Sequence, residues 1–259
     1  MTRRRGGVTA AVRTGLAAIA AMALVTGCEG LEAGGSSTDS GAPAPAPDGR
    51  AVNPLKNPDG TEPGLAPVTS ETDEAAARKL IETLRTKGRG PRTGYDRDEF
   101  GYAWMDTAEG VPLARNGCDT RNDLLQRDGQ SLRFRSGSDC VVIAMTLHDP
   151  YTGTTIEWRK QKATEVQIDH VVPLSYSWQM GAARWSEDKR EQLANDPLNL
   201  MPAEGRANSS KGDSGPASWL PPNKQIRCAY AVRFTQVALK YELAVTVPDR
   251  QIMLKQCGG

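Results

Sequence analysis

The sequence predicts an α+β domain, and three observations predict it. Short apolar runs rich in β-branched residues, at Val141 to Leu147, Thr154 to Trp158 and Val166 to Val172, have the length of strands. Two stripes have the spacing of helices lying on a core: Ala77, Leu80, Ile81, Leu84, and later Ile226, Tyr230, Phe234, Val237, Tyr241. Beyond Cys28, the cysteines Cys118, Cys140, Cys228 and Cys257 form an even set, which predicts two disulfides in an exported, small mixed domain.

The first residues set the destination. Arg3, Arg4 and Arg5 precede a short Ala-rich apolar run from Gly15 to Thr26, too short to span a bilayer comfortably. It ends at Val25, Thr26, Gly27, Cys28, which resembles the lipobox of bacterial lipoproteins. The resemblance implies that residues 1–27 are a removed signal peptide and that Cys28 is lipidated. The chain is then expected outside the cytoplasm, anchored by lipid alone to the outer face of the cell membrane, or secreted. Residues 28–70, rich in Gly, Ser, Ala, Pro and Asp, are expected to be a disordered tether, since such a composition buries too little apolar surface to offset ordering. A domain over 71–259 follows.

Charge is a weak guide. Loss of the four arginines in residues 1–27 takes the formal charge from +1 to −3, and nine acids against two bases over residues 28–74 leave the remainder at +4. That balance suits a polyanionic ligand but is far from a nucleic-acid coat protein.

Four cysteines allow three pairings. Cys118 with Cys140 and Cys228 with Cys257 is the expected one, because each pair closes a local loop. A zinc site is the rival, but there is no Cys-x-x-Cys spacing and the chain has two histidines.

Along the domain, Thr69 or Ser70 should cap the first helix, which ends by Gly88. Residues 95–117 carry no clear period. Asp119 or Thr120 should cap a helix that buries Leu124 and Leu125, with Arg121 at the edge of a site as a candidate phosphate contact. The runs on either side of Pro150 to Gly153 form a hairpin, with His148 at its turn and no role assigned. A strand from Val166 is stopped by Pro173, a helix follows over Trp178 to Trp185, and Ser186 caps another to about Ala194. A second strand at Asn199 to Met201 and a helix start over Ala207 to Lys211 give the order strand, strand, helix.

The stretch from Gln167 to Asp213 concentrates the chemistry. Asp169 and His170 sit at a strand end, followed by Asn199, Asn208 and Lys211. A neutral imidazole can take a proton from water near physiological pH, and carboxylate and amide oxygens are hard ligands for a divalent cation. Magnesium needs only one or two such protein ligands. Neighbouring strand residues point to opposite faces, which would separate Asp169 from His170, but a strand end distorted by Pro173 relaxes that objection.

These residues carry a resemblance. The runs Asp169-His-Val-Val-Pro-Leu174, Asn195-Asp-Pro-Leu-Asn-Leu200 and Asn208-Ser-Ser-Lys-Gly-Asp213 resemble the HNH endonucleases with a ββα-metal (His-Me) finger. More narrowly, they resemble exported bacterial relatives of the C-terminal domain of GmrSD-type restriction endonucleases, over about Tyr95 to Cys257. The resemblance implies a finger over about 166–213 embedded in the mixed domain with flanking helices. It further implies His170 as general base, Asp169 and Asn208 as metal ligands, Asn199 as the brace that orients the base, and Lys211 as a phosphate contact. The implied cofactor is Mg2+, or Mn2+. The implied activity is endonuclease cleavage of nucleic acid by a monomer, with DNA favoured over RNA and little sequence preference, since no base-reading element is visible. The alternative is a non-catalytic lipid-anchored module that binds nucleic acid or cell-wall polymer.

Overall fold

The computed structural model describes residues 50–259. The expected signal peptide, the expected lipidation at Cys28 and the greater part of the expected tether lie outside the described residues. Residues 50–70 differ from the tether expected there, because they are packed on the domain. Asn53 caps a turn of 3-10 helix over Pro54–Lys56, and Leu65, Ala66 and Val68 are buried. The Gly64 amide donates to Asp128 Oδ1 at 2.6 Å, and Gln236 Nε2 donates to the Pro54 carbonyl at 2.7 Å. Gly60 permits the closest approach: with φ of +74°, a Cβ there would stand 2.3 Å from Leu198 Cα. A few apolar side chains and distant hydrogen bonds suffice to order a segment that composition alone reads as loose.

Helix α1 spans Glu71–Glu82, and its N-cap Ser70 accepts the Asp73 amide at 3.1 Å, with Glu71, Asp73 and Glu74 at the positive end of the helix dipole. Its apolar stripe buries Ala77 and Ile81. Helix α2, Thr120–Asp128, is capped by Asp119 as expected. A three-stranded antiparallel sheet follows, β1 (Gln130–Phe134), β2 (Val142–His148) and β3 (Thr155–Arg159), in that order. The β2–β3 hairpin matches the expectation. Strand β1 is unannounced in the sequence because it is an irregular edge strand whose Ser131 and Arg133 face solvent and whose register shifts twice against β2.

Strand β4, Val166–His170, pairs antiparallel with β5, Leu200–Glu204, with His170 opposite Leu200 and Asp169 opposite Met201. Helix α5, Gly205–Lys211, follows directly, so the order strand, strand, helix holds. Between the strands lie α3, Leu174–Met180, and α4, Glu187–Asn195. The helix expected from Trp178 instead begins at Leu174, immediately after Pro173, since proline at a helix start lacks only an amide that would be unpaired anyway. Gly181 with φ of +140° ends it, and a 3-10 turn over Ala182–Arg184 takes the rest of the expected span.

Two cores flank the β4–β5 pair. The smaller gathers Leu124, Leu125, Met145, Trp158, Val166, Ile168 and Leu200. The larger surrounds α6, Arg227–Lys240, whose Tyr230, Phe234 and Val237 are fully buried against α1, α3 and α7, Val247–Gln256. The disulfides are Cys118–Cys140 and Cys228–Cys257, the expected pairing. The second ties the first turn of α6 to the end of α7. Among the described residues, no helix is long and apolar enough to cross a membrane.

Candidate active site

The two strand faces carry different halves of the site. Val166, Ile168 and Leu200 turn to the smaller core, while Met201 and Ala203, opposite Asp169 and Gln167, belong to the larger one. Asp169 therefore meets groups from two other elements. Tyr151, from the hairpin turn, donates to its Oδ2 at 2.5 Å, and Lys211, from the last turn of α5, places Nζ 2.8 Å from both carboxylate oxygens. Lys211 also donates to the His170 carbonyl at 2.7 Å. Burial pushes the Asp169 pKa up and that of Lys211 down, and the charge of each partner acts against its shift. Tyr151, fully buried beside a carboxylate, is held well above its usual range and stays a proton donor in the hydrogen bond.

His170 faces elsewhere. Its Nε2 lies 3.0 Å from the Ala194 carbonyl, which can only accept, so Nε2 carries the proton and Nδ1 is left as the basic nitrogen. Trp104 stacks on the imidazole, with ring centroids 6.1 Å apart and planes inclined by 10°. Burial first, then the positive charge of Arg97, lowers the His170 pKa to about 3, so the ring is neutral at physiological pH.

Asn199 is completely buried and braces the turn after β4. Its Oδ1 accepts the Val172 amide at 2.8 Å, and its Nδ2 donates to the carbonyls of Leu193 at 3.1 Å and Val172 at 3.3 Å. It thus joins the end of β4 to α4, the helix that carries the Ala194 carbonyl. Asn208, on α5, gives its Nδ2 to Gln167 Oε1 at 2.8 Å, and among the described residues no hydrogen bond reaches its Oδ1.

Despite the alternation of the strand, Asp169, His170 and Asn208 line one cleft of about 400 Å³, together with Arg92, Tyr95, Arg97, Pro173, Ser175 and Asp213. Two expected phosphate contacts are not placed to serve. Lys211 is buried, with no side-chain exposure, and is locked on Asp169 rather than offered to solvent. Arg121 does not line the cleft; its guanidinium lies over the Trp158 ring, 5.8 Å from the centroid. His148, given no role, has its Nδ1 3.0 Å from Thr155 Oγ1.

Comparison with known proteins now bears on this arrangement. The family described as GmrSD restriction endonucleases, C-terminal domain, matches residues 119–256, just over half the chain. The chain belongs to this family. An uncharacterized secreted protein of Arthroderma benhamiae is 37% identical over 188 residues, covering 71% of this chain and 85% of that relative. No solved structure matches.

Three residues at this GmrSD-type centre escape sequence reasoning. Tyr151 sits in a Pro-Tyr-Thr-Gly turn, where a tyrosine normally faces water, and only the packing of the turn on β4 carries its hydroxyl to Asp169. Trp104 and Arg97 lie in the stretch without a period, ahead of the matched residues. Trp104 has φ of +64°, a conformation an L-residue adopts at a cost, and its ring covers the histidine.

Proposed function

We propose that this GmrSD-family domain is a metal-dependent endonuclease of the HNH type, acting on DNA with little sequence preference. The observation that carries the reading is the contact of His170 Nε2 with the Ala194 carbonyl. With Nε2–H given to the Ala194 carbonyl, Nδ1 is the proton acceptor, on a buried neutral ring that borders the same cleft as Asp169 and Asn208.

Nδ1 takes a proton from water as the water oxygen bonds to phosphorus and the bond to the 3′ oxygen breaks. Asn199 and Trp104 hold the ring against rotation during that transfer, the first through α4 and Val172, the second by stacking. The donor set fits a hard cation with few protein ligands. Asn208 Oδ1 has no hydrogen-bond partner among the described residues, and the Asp169 carboxylate retains acceptor capacity beyond its bonds to Lys211 and Tyr151. Held there, Mg2+ or Mn2+ would stabilise charge on the phosphoryl and leaving oxygens. The Lys211 and Tyr151 contacts fix the carboxylate in place and keep its charge from repelling the substrate.

An extracytoplasmic location belongs to the same proposal. Two disulfides and a relative named as secreted support it, and the Val25 to Cys28 run supports a lipid anchor.

Incubation of the purified chain with plasmid DNA and with RNA, in Mg2+, Mn2+ or chelator, tests the reading. Metal-dependent cleavage is expected for the native chain and none for His170→Ala, with unchanged circular dichroism. Undiminished cleavage by that variant would refute the base assignment. Tight binding without cleavage in every metal would favour a binding module.

A further inference from the structure

A phosphodiester entering the cleft needs a cationic partner from the protein, and the two cations that the sequence suggested are engaged elsewhere. Lys211 is buried on Asp169, and Arg121 is stacked on Trp158. Two arginines do border the cleft, Arg92 and Arg97. Arg92 already has an anion: its guanidinium lies 3.7 Å from Asp213 and 5.2 Å from the centre of the Tyr95 ring. Arg97 is exposed, and among the described residues no side chain or carbonyl forms a hydrogen bond or ion pair with it.

Its position is nonetheless fixed. Arg97 opens a 3-10 turn over Arg97–Phe100, capped by Asp96, which accepts the Asp98 amide at 3.0 Å. Phe100, at the other end of that turn, is buried with its ring centroid 6.2 Å from Tyr95 and 6.4 Å from Trp178. The backbone is thus anchored in the larger core, while the guanidinium stays open to solvent. Arg97 also lines a smaller hollow that adjoins the cleft, with His170, Trp104, Ala194 and Asn195. Arg97 and His170 therefore line both hollows together.

We propose that Arg97 is a phosphate-binding residue of this site, its planar fork meeting non-bridging oxygens of the phosphodiester held at His170. The inference rests on the nuclease reading. It assigns part of the substrate site to a segment that precedes residues 119–256, so the matched family domain is incomplete without its upstream neighbour. A guanidinium suits the task because it presents two parallel N–H donors to a phosphate, where an ammonium offers a point charge.

The test compares Arg97→Ala, Arg97→Lys and, as a remote control, Lys79→Ala at an exposed position of α1, all in the whole chain. Binding of a fluorescent DNA duplex is measured across salt in a His170→Ala background, and cleavage rates are measured in the native background. Arg97→Ala should lower the slope of log affinity against log salt by about 1, the loss of one phosphate contact. It should also reduce cleavage about 100-fold with an unchanged melting temperature. Arg97→Lys should keep the slope and recover only part of the rate, and Lys79→Ala should behave as the native chain. If the native chain cuts DNA, His170→Ala does not, and Arg97→Ala changes neither slope nor rate, the inference falls and the nuclease reading stands. If the native chain neither cuts nor binds nucleic acid, both fall.

Discussion

Replacing Lys211 by methionine tests the organisation of the site through stability. The ammonium contacts both oxygens of Asp169 at 2.8 Å and the His170 carbonyl at 2.7 Å, with side-chain exposures of 0% and 6% for the ion pair. Methionine fills similar volume but leaves a buried carboxylate without a cation, offset only by hydrogen bonds from the Tyr151 hydroxyl and the His170 backbone. Removing one member of a buried pair costs about 3–5 kcal/mol, because the remaining charge is uncompensated. For a domain of this size that corresponds to a fall in melting temperature of roughly 6–20 °C.

The penalty should depend on pH and on Asp169. Without Lys211, burial outweighs the hydrogen bonds from Tyr151 and the His170 backbone, and the folded-state pKa of the carboxylate lies above the unfolded value. The folded state then binds more protons than the unfolded state in that window, so the variant gains stability as pH falls through the folded pKa. In an Asp169→Asn background the same lysine replacement should cost at least about 2 kcal/mol less. Urea denaturation of the four chains of this cycle, at neutral and acid pH, measures both effects. A loss under about 1 kcal/mol, or an equal loss in the Asp169→Asn background, would refute the buried pair and return Lys211 to the role of a surface phosphate contact.

Asn199→Ala leaves the Val172 amide without its acceptor in a fully buried place, so stability should fall by about 1–3 kcal/mol. If Asn199 positions the base, kcat should fall with little change in KM, and unchanged kcat would reduce its role to that of a structural strut. Asp123 is held at a pKa of about 6, chiefly by burial, although Asn116 donates to it at 2.9 Å. Its raised pKa means that its contribution to stability is complete below about pH 3.8 and is lost as pH rises through about 6. Asp123→Asn should therefore stabilise the protein by about 1–3 kcal/mol at pH 7 and hardly at all at pH 4, in denaturation at the two pH values.

What could be read from the sequence was what local order encodes. Ser70, Asp119 and Ser186 cap their helices because a side-chain oxygen needs only the amides two or three residues on. The β2–β3 hairpin is set by β-branched runs around a turn, and the disulfides follow from nearness along the chain. Residues 50–70 and β1 were illegible because their order comes from neighbours: buried leucine, alanine and valine side chains in the first, pairing to β2 in the second.

The sequence by itself determined the strand, strand, helix order and gathered Asp169, His170, Asn199 and Asn208 as candidates within one short stretch. Only the tertiary structure decided their environments. It folded Lys211 inward onto Asp169, sent Arg121 to Trp158, brought Tyr151 from a distant turn, and laid Trp104 and Arg97 beside His170. The physical reason is that burial and charge pairing depend on what packs around a side chain. A lysine on the last turn of a short helix reads as solvated until the strand beneath it presents a carboxylate.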